Sequence, residues 1–364
     1  MVVLLKALEV HDEAKNLGQL SSARLTVPYS SARFQLEAAS SSPGNIMSRG
    51  PLYQNEYSPQ FSGHETFPLR YGWLKKVYDR VAETEIDANN RTACWDDDAI
   101  ARFGVGKNMV GSMRHWAKAT GITEEPSANS VRTTELGRKL FGPGGLDPYL
   151  EHPATLWLIH WQLAARPEKT TWFWAFSHFP AITFEREELT KKLERLAKDR
   201  AWSRVASATI KNDVACFIRT YVARQPSGKV GHDDALESPL TELGLIKAIR
   251  KKDGFRFVRG PKSTLGNGVF IYALLDFWSR YAKSATLSFE AIAHAPGSPG
   301  RVFAFDENDI AGRLAALDDV SDGALRWSET AGLKQVVRNI ELDDSTKLLY
   351  VPADYGALTA QEVV

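Results

Sequence analysis

Between Val105 and Thr120 the chain reads VGKNMVGSMRHWAKAT, with Met109, Val110, Met113, Trp116 and Ala117 at i, i+3, i+4, i+7 spacing. That spacing predicts an amphipathic helix whose polar face shows Lys107, Asn108, Ser112, Arg114, His115 and Lys118. Before it, WDDDAIARF (95–103) reads as a short helix with an acidic start, and Gly104 and Gly106 allow a tight turn. After it, Val131 to Gly137 reads as a strand, followed by a short helix around Arg138 to Leu140. Helix, turn, helix and hairpin in this order predict a winged helix-turn-helix. An ordinary αα-hairpin is the alternative.

The segment FSGHETFPLRYGWLKKVYDRV, from Phe61, carries a second stripe: Phe67, Leu69, Trp73, Leu74 and Val77, with Arg70, Lys75, Lys76 and Arg80 outside. Pro68 is expected in the first turn of its helix. From Leu146, the run through DPYLEHPATLWLIHWQLAA is apolar nearly all round, which predicts a buried central helix with His160 as a hydrogen-bonded core histidine. Trp172, Phe173, Trp174, Phe176 and Phe179 extend that centre. Two amphipathic helices follow, at Arg186–Arg200 and Ala206–Tyr221, the second leaving Lys211 and Asn212 outside. A hairpin around Asp253-Gly254 is next. Leu287–Ala293, a helix at Asp306–Leu317 and strands near Leu325 and Val336 form a weaker third unit. Thr134-Glu-Leu-Gly137, Thr241-Glu-Leu-Gly244 and Glu329-Thr-Ala-Gly-Leu333 recur across the three units, which suggests an internal repeat.

The expected fold class is therefore mainly α with short β-hairpins (α+β): tandem winged-helix-like modules around a Trp-rich helical centre. The modules are placed at 59–145, 146–262 and 263–350, with a serine-rich N-terminal arm (1–58) and a tail (351–364).

Composition changes this picture little. The 364 residues are 43% apolar and 24% charged, with a formal net charge of +1, as in ordinary globular proteins. Charge distribution says more. Arg102 to Lys118 holds four basic residues and no acidic one, and Lys247 to Lys262 holds seven against Asp253 alone. Such local faces suit DNA phosphates, although solvated charge is the plainer reading. Cys94 and Cys216 lie outside any metal or disulfide spacing, and no run reaches the length of a membrane span, so a reducing cytoplasmic setting is expected.

FSGHETFPLRYGWLKK (61–76), GVGKNMVGSMRHW (104–116), DPYLEHPATLWLIHW (147–161), SPLTELGLI (238–246) and PGSPGRVFAFDE (296–307) together resemble the bacterial SspB family. The resemblance spans roughly Phe61 to Tyr350. It implies a DNA-binding protein that introduces single-strand nicks in the Ssp single-strand phosphorothioation defence system. It implies as partners, besides duplex DNA, a cysteine desulfurase, an ATPase and an ATP-pyrophosphatase-type sulfur-transfer protein. A non-catalytic DNA-recognition subunit is the alternative, since no PD-(D/E)xK, H-N-H or HxK signature is present.

The resemblance assigns no catalytic residue, so the candidates come from the residues themselves. Phosphodiester hydrolysis needs charge stabilisation and usually Mg²⁺ or Mn²⁺ held by carboxylates; no organic cofactor is expected. Glu65 can bind a metal or accept a proton from water, His64 can donate to the leaving oxygen, and Arg70 can steady the phosphate. A helix cap or a salt bridge with Arg70 is the structural alternative. Asp96 to Asp98 are the other carboxylates near the proposed DNA face, with Asp98 the second metal candidate, although an acidic first turn explains them too. For DNA contact the candidates are Lys75, Lys76, Lys107, Asn108, Arg114, His115, Lys118, Arg132, Lys211, Asn212, Arg250, Lys251, Lys252 and Arg256, with Arg259 continuing the last group. Asn108 or Arg114 is the expected base reader.

Overall fold

The computed structural model describes residues 50–87, 89–90, 94–95, 98–203, 205–223, 238–249, 253–330 and 332–356. Most of the expected arm, the end of the tail, Asp96, Asp97, Arg250, Lys251 and Lys252 lie outside them.

The first helix, α1 (Trp73–Thr84), buries Trp73, Leu74, Val77, Tyr78 and Val81, the stripe expected from their spacing. It starts five residues later than Pro68. Gly72, at φ 74, opens the helix, and the strand of chain before it is held by two donors: Trp116 Nε1 reaches Phe67 O at 3.0 Å and Cys216 Sγ at 3.4 Å. Those bonds fix 67–70 outside the helix, so Pro68 is not in its first turn.

The expected pair follows as α2 (Ala99–Phe103) and α3 (Lys107–Ala119), with Gly104 at φ 66 between them. Val110, Met113, Trp116 and Ala117 are buried, as expected; Ser112 is also inside. The hairpin β1 (Thr123–Ser127) and β2 (Ser130–Thr133) is antiparallel, and Thr134 caps α4 (Glu135–Phe141) by accepting from Gly137 N at 2.9 Å.

The centre pairs α5 (Pro153–Ala164), buried from Ala154 to Ala164, with α9 (Asn267–Tyr281), buried from Gly268 to Trp278. Trp161 Nε1 donates to Asp276 at 2.8 Å and Gln162 Nε2 to Tyr272 OH at 2.7 Å across this contact. Helix α6 (Thr170–Ser177) adds the aromatic layer of Trp172, Phe173, Trp174 and Phe176.

Two later units share one topology. In the first, β3 (Thr183–Glu185), α7 (Arg186–Asp199), α8 (Ser207–Tyr221), β4 (Ile246–Ala248) and β5 (Gly254–Phe257) form an antiparallel sheet ordered β3-β5-β4. In the second, β6 (Thr286–Ser288), α10 (Phe289–His294), α11 (Pro299–Val302), α12 (Glu307–Ala315), α13 (Leu317–Val320), β7 (Leu325–Thr330) and β8 (Leu333–Arg338) give the order β6-β8-β7. A last short helix, α14, spans Asp344–Leu348. The protein is thus α+β, with small antiparallel sheets set on a helical frame.

The short Thr-Glu-Leu-Gly echo is not a structural repeat. Its first copy follows a hairpin and caps α4; the second lies in the 3₁₀ turn Pro239–Leu243, before its hairpin; the third has Glu329 and Thr330 at the end of β7 and Leu333 at the start of β8. Four-residue identities here serve capping and turn chemistry, which many positions share.

His160 is a core histidine. Tyr221 OH lies 2.8 Å from Nδ1 and Val302 O 2.8 Å from Nε2, so Nε2 donates and Nδ1 accepts. Burial pushes its pKa down to about 3. The unfolded chain binds this proton below about pH 6.5, whereas the folded one refuses it until about pH 3. His160 thus subtracts stability progressively across that window, by up to about 1.4 kcal/mol per pH unit. Urea midpoints are expected to fall between pH 6.5 and pH 4.5, and a flat profile over that range would contradict this placement.

Candidate functional site

The His64 and Glu65 segment docks where three helices meet. His64 is buried, and its Nε2 lies 2.8 Å from Asp213 Oδ1 on α8. Its Nδ1 accepts from Thr66 N at 3.0 Å, so Nε2 carries the proton and donates to the carboxylate. Asp213 Oδ2 is buried with no hydrogen-bond partner. Beside this pair, His115 of α3 lies with its ring centroid 5.9 Å from that of His64. His115 Nε2 is 3.4 Å from Lys169 Nζ, and Lys169 also donates to Gln60 Oε1 at 3.1 Å. Burial holds the Lys169 ammonium down at about 8, and burial followed by Lys169 holds His115 well below its ordinary value. Gly63 makes the approach possible: at φ 105, a Cβ there would sit 2.3 Å from His115 Nδ1.

What this docking presents to solvent is Glu65. Glu65 and Thr66 adopt φ 46 and 64 in succession, left-handed conformations that L residues rarely take and that β-branched threonine resists. Such strain costs about 1–3 kcal/mol per residue and persists only where surroundings enforce it. Here they do: Phe67 N bonds His64 O at 2.8 Å, His64 holds Thr66 N, and Arg219 donates to Thr66 O. Glu65 stands exposed next to Gly111 on the outer side of α3.

The proposed trio does not gather as one set of reacting groups. Both nitrogens of His64 are engaged inside the protein, so it positions the turn and has no nitrogen left to protonate a leaving oxygen. Arg70 is buried on the other side, its guanidinium 5.4 Å from the Phe67 ring and 5.5 Å from the Trp73 ring. It lines a groove of about 400 Å³ with Tyr71, Trp73, Lys76, Gly104–Gly106 and Met109. The groove runs to the start of α3, where Lys107 and Asn108 are exposed.

The other cationic candidates divide. On α3 the acid-free face acquires an acid from β1: Glu125 takes Arg114 at 2.6 Å and Lys118 at 3.2 Å, and is held as the anion by both despite its burial. Lys75 pairs with Asp79 at 2.5 Å and Arg132 with Glu124 at 2.7 Å, whereas Lys76 donates to Phe103 O. Lys211 and Asn212 are exposed on α8, and Arg256 on β5. Lys262, at the end of the second basic run, is buried against the carbonyls of Gly260, Val258 and Ala304, so it closes a turn and does not face solvent.

Asp213, Lys169 and Glu125 were not among the sequence candidates. Asp213 had a readable signal: it sits on the inward stripe of α8 with Ile210, Val214 and Phe217, where a carboxylate requires a partner. Lys169, between two apolar helices, had the same one. Glu125, on a polar strand, had none.

As metal ligands, Glu65 and Asp98 each offer a single exposed carboxylate, and Asp98 also faces Arg102 at 3.7 Å. Among the described residues no group of three or more His, Cys, Asp or Glu side chains is placed to hold an ion. Also among them, no helix is long and apolar enough to cross a membrane.

Residues 61–351 match a family of proteins of unknown function, DUF4007. Among solved structures, the chain is similar to magnesium ion-bound SspB, with a TM-score of 0.71 and 30% identity over 83% of this chain and 90% of that one. A second SspB crystal structure gives 0.69 and 29%, over 84% and 95%. No curated protein matches.

Proposed function

The chain belongs to the DUF4007 family, and on that footing we propose that it is the DNA-nicking component of a bacterial single-strand phosphorothioation system acting in anti-phage defence. The likeness to SspB over more than four-fifths of the chain is the observation that carries this reading. In it, the duplex lies along α3 and the Arg70 groove, with α2, α3 and the β1–β2 hairpin acting as a winged-helix-like module and the two three-stranded units as further ones. Lys107 and Lys76 meet phosphate, Asn108 meets base edges, and Lys211, Asn212 and Arg256 extend the contact. Glu65, projected by the His64-anchored turn, accepts the proton of the attacking water, and Arg70, apart from it, lends positive charge to the groove along which the duplex lies. A Mg²⁺ or Mn²⁺ ion in this proposal arrives with the DNA phosphates, as weakly held Mg²⁺ commonly does. A cysteine desulfurase, an ATPase and an ATP-pyrophosphatase-type protein act with it, in the cytoplasm.

The direct test is supercoiled plasmid incubated with the purified protein and Mg²⁺ or Mn²⁺, against EDTA. Metal-dependent conversion to open circles supports the proposal. Duplex binding with no conversion selects a second reading, a DNA-recognition subunit that recruits the sulfur-transfer proteins. That reading is favoured by the engaged nitrogens of His64 and by the fact that, among the described residues, no further ligand gathers with Glu65 or Asp98.

A Lys76→Ala, Lys107→Ala double variant is expected to weaken binding equally for all duplex sequences and to lower the salt slope by about two units. Fluorescence anisotropy across a salt series reads this, and an unchanged slope would move the interface away from α3.

A further inference from the structure

Gly106 holds the capping position of α3; among the described residues no side chain caps this helix, and its first turn carries no acid. The first N–H groups of a helix have no acceptor within it, and the helix dipole makes that end positive. Nothing in the fold requires glycine there. Gly106 has an ordinary extended backbone, φ −66 and ψ 160, and a Cβ on it would meet no atom within 4 Å. Serine or aspartate would fit and would satisfy the helix. Glycine instead leaves a bare backbone that a ligand can approach.

This helix end borders the groove of about 400 Å³ lined by Arg70, Trp73, Lys76, Gly104–Gly106 and Met109. Arg70 points to an anion independently. It is only 7% exposed, its Nε has no hydrogen-bond partner, and among the described residues it meets the Phe67 and Trp73 rings but no carboxylate. A buried guanidinium without an acid is costly until some other anion meets it. The walls are tied together: Trp116 of α3 donates to Phe67 O at 3.0 Å, and Lys76 of α1 to Phe103 O at 3.4 Å. Among the described residues lining the groove none is acidic. Carboxylates around it are engaged: Glu242 accepts from Tyr71 OH, Asp79 pairs with Lys75, and Asp98 faces Arg102. Glu65 stands further along α3, beside Gly111. A guanidinium, an ammonium and free backbone N–H groups are donors with positive charge, the set that suits a tetrahedral oxyanion.

We propose that this groove seats one phosphate group, its oxygens held by the first N–H groups of α3 and by the Arg70 guanidinium, with Lys76 at the rim. Taking that phosphate to be one of DNA rests on the proposed function; the oxyanion chemistry does not. Calorimetric titration of the full-length protein with inorganic phosphate, against chloride at equal ionic strength, reads the seat by itself. One saturable site is expected. Gly106→Asp puts a carboxylate on the same N–H groups, so phosphate binding should fall at least tenfold while the melting temperature holds or rises. Gly106 is exposed, so this variant is expected to fold even if Arg70→Gln, which should also weaken binding tenfold or more, does not. Absence of saturable phosphate binding up to high millimolar concentration overturns the inference, as does unchanged binding in Gly106→Asp. Intact duplex and nicked duplexes with and without a 5′-phosphate identify the source. A preference for the phosphorylated nick that Gly106→Asp abolishes assigns the seat to a strand end; an equal loss for all three assigns it to the continuous backbone. Duplex binding without phosphate binding leaves the proposed function standing and removes the seat; phosphate binding without duplex binding does the reverse.

Discussion

Glu65→Gln is expected to leave melting temperature and duplex affinity at parental values while lowering plasmid nicking by about 10²–10⁴-fold, the range for loss of a positioned general base. Glutamine keeps the length and much of the hydrogen bonding of glutamate but cannot take a proton. The side chain is exposed, and exposed substitutions seldom move stability by more than about 0.5 kcal/mol. The strained pair at Glu65 and Thr66 gives the reason to look here: that backbone is held by His64, Arg219 and Phe67 N in a conformation the sequence resists. Single-turnover nicking beside a thermal melt decides it. A lowered melting temperature with unchanged nicking per folded molecule would make Glu65 structural.

Asp276→Ala is expected to be the most destabilising single change named here. Asp276 is buried and accepts from Trp161 Nε1, while Arg280 at 3.0 Å, Arg166 at 3.4 Å and Lys347 at 3.7 Å surround it. Burial opposes its charge, but the three cations, led by Arg166, outweigh burial and hold the carboxyl far below its usual range. Removing it leaves their charge uncompensated against the α5–α9 contact. Arg166 and Arg280 are about one-third exposed, so solvent screens part of the effect. A loss of roughly 3 kcal/mol remains, at the low end for a broken buried pair. Asp276→Asn, which can still accept from Trp161, should lose less. Because the folded carboxyl is depressed, its contribution is complete above the ordinary carboxylate pKa and declines only as pH falls below about 3.9 towards the folded value. The gap between parent and Asp276→Ala should therefore be constant at neutral pH and narrow in strong acid. Urea titrations at pH 7 and pH 3 measure both; equal stability of the two proteins at pH 7 would mean the cations are solvated and the cluster contributes nothing.

Repetition in the chain illustrates how far local patterns reach. Periodicity placed α3, α5, α7 and α8 and their buried faces, because a helix exposes or hides residues by spacing alone. It also tied the repeated units to Thr-Glu-Leu-Gly, which suits a helix cap and a 3₁₀ turn equally well, whereas the two later units share their topology without the motif holding one place in it. The start of α1 was misplaced for a related reason: proline at 68 is compatible with a first helical turn, and only donors from Trp116 and Cys216 decide against it.

The sequence by itself determined the α+β class, the buried Trp-rich centre, the core role of His160 and, through five long motifs, the family. Each depends on neighbours within a few residues, or on motif identity. The tertiary structure alone decided the chemistry of the site. Asp213 meets His64 from 149 positions away, Lys169 meets His115 from 54, and Glu125 neutralises a face that carries no acid of its own. No period relates such partners: which carboxylate reaches which cation is set by how the helices and the β1–β2 hairpin pack, and a charge that looks available along the chain is available only if packing leaves it so.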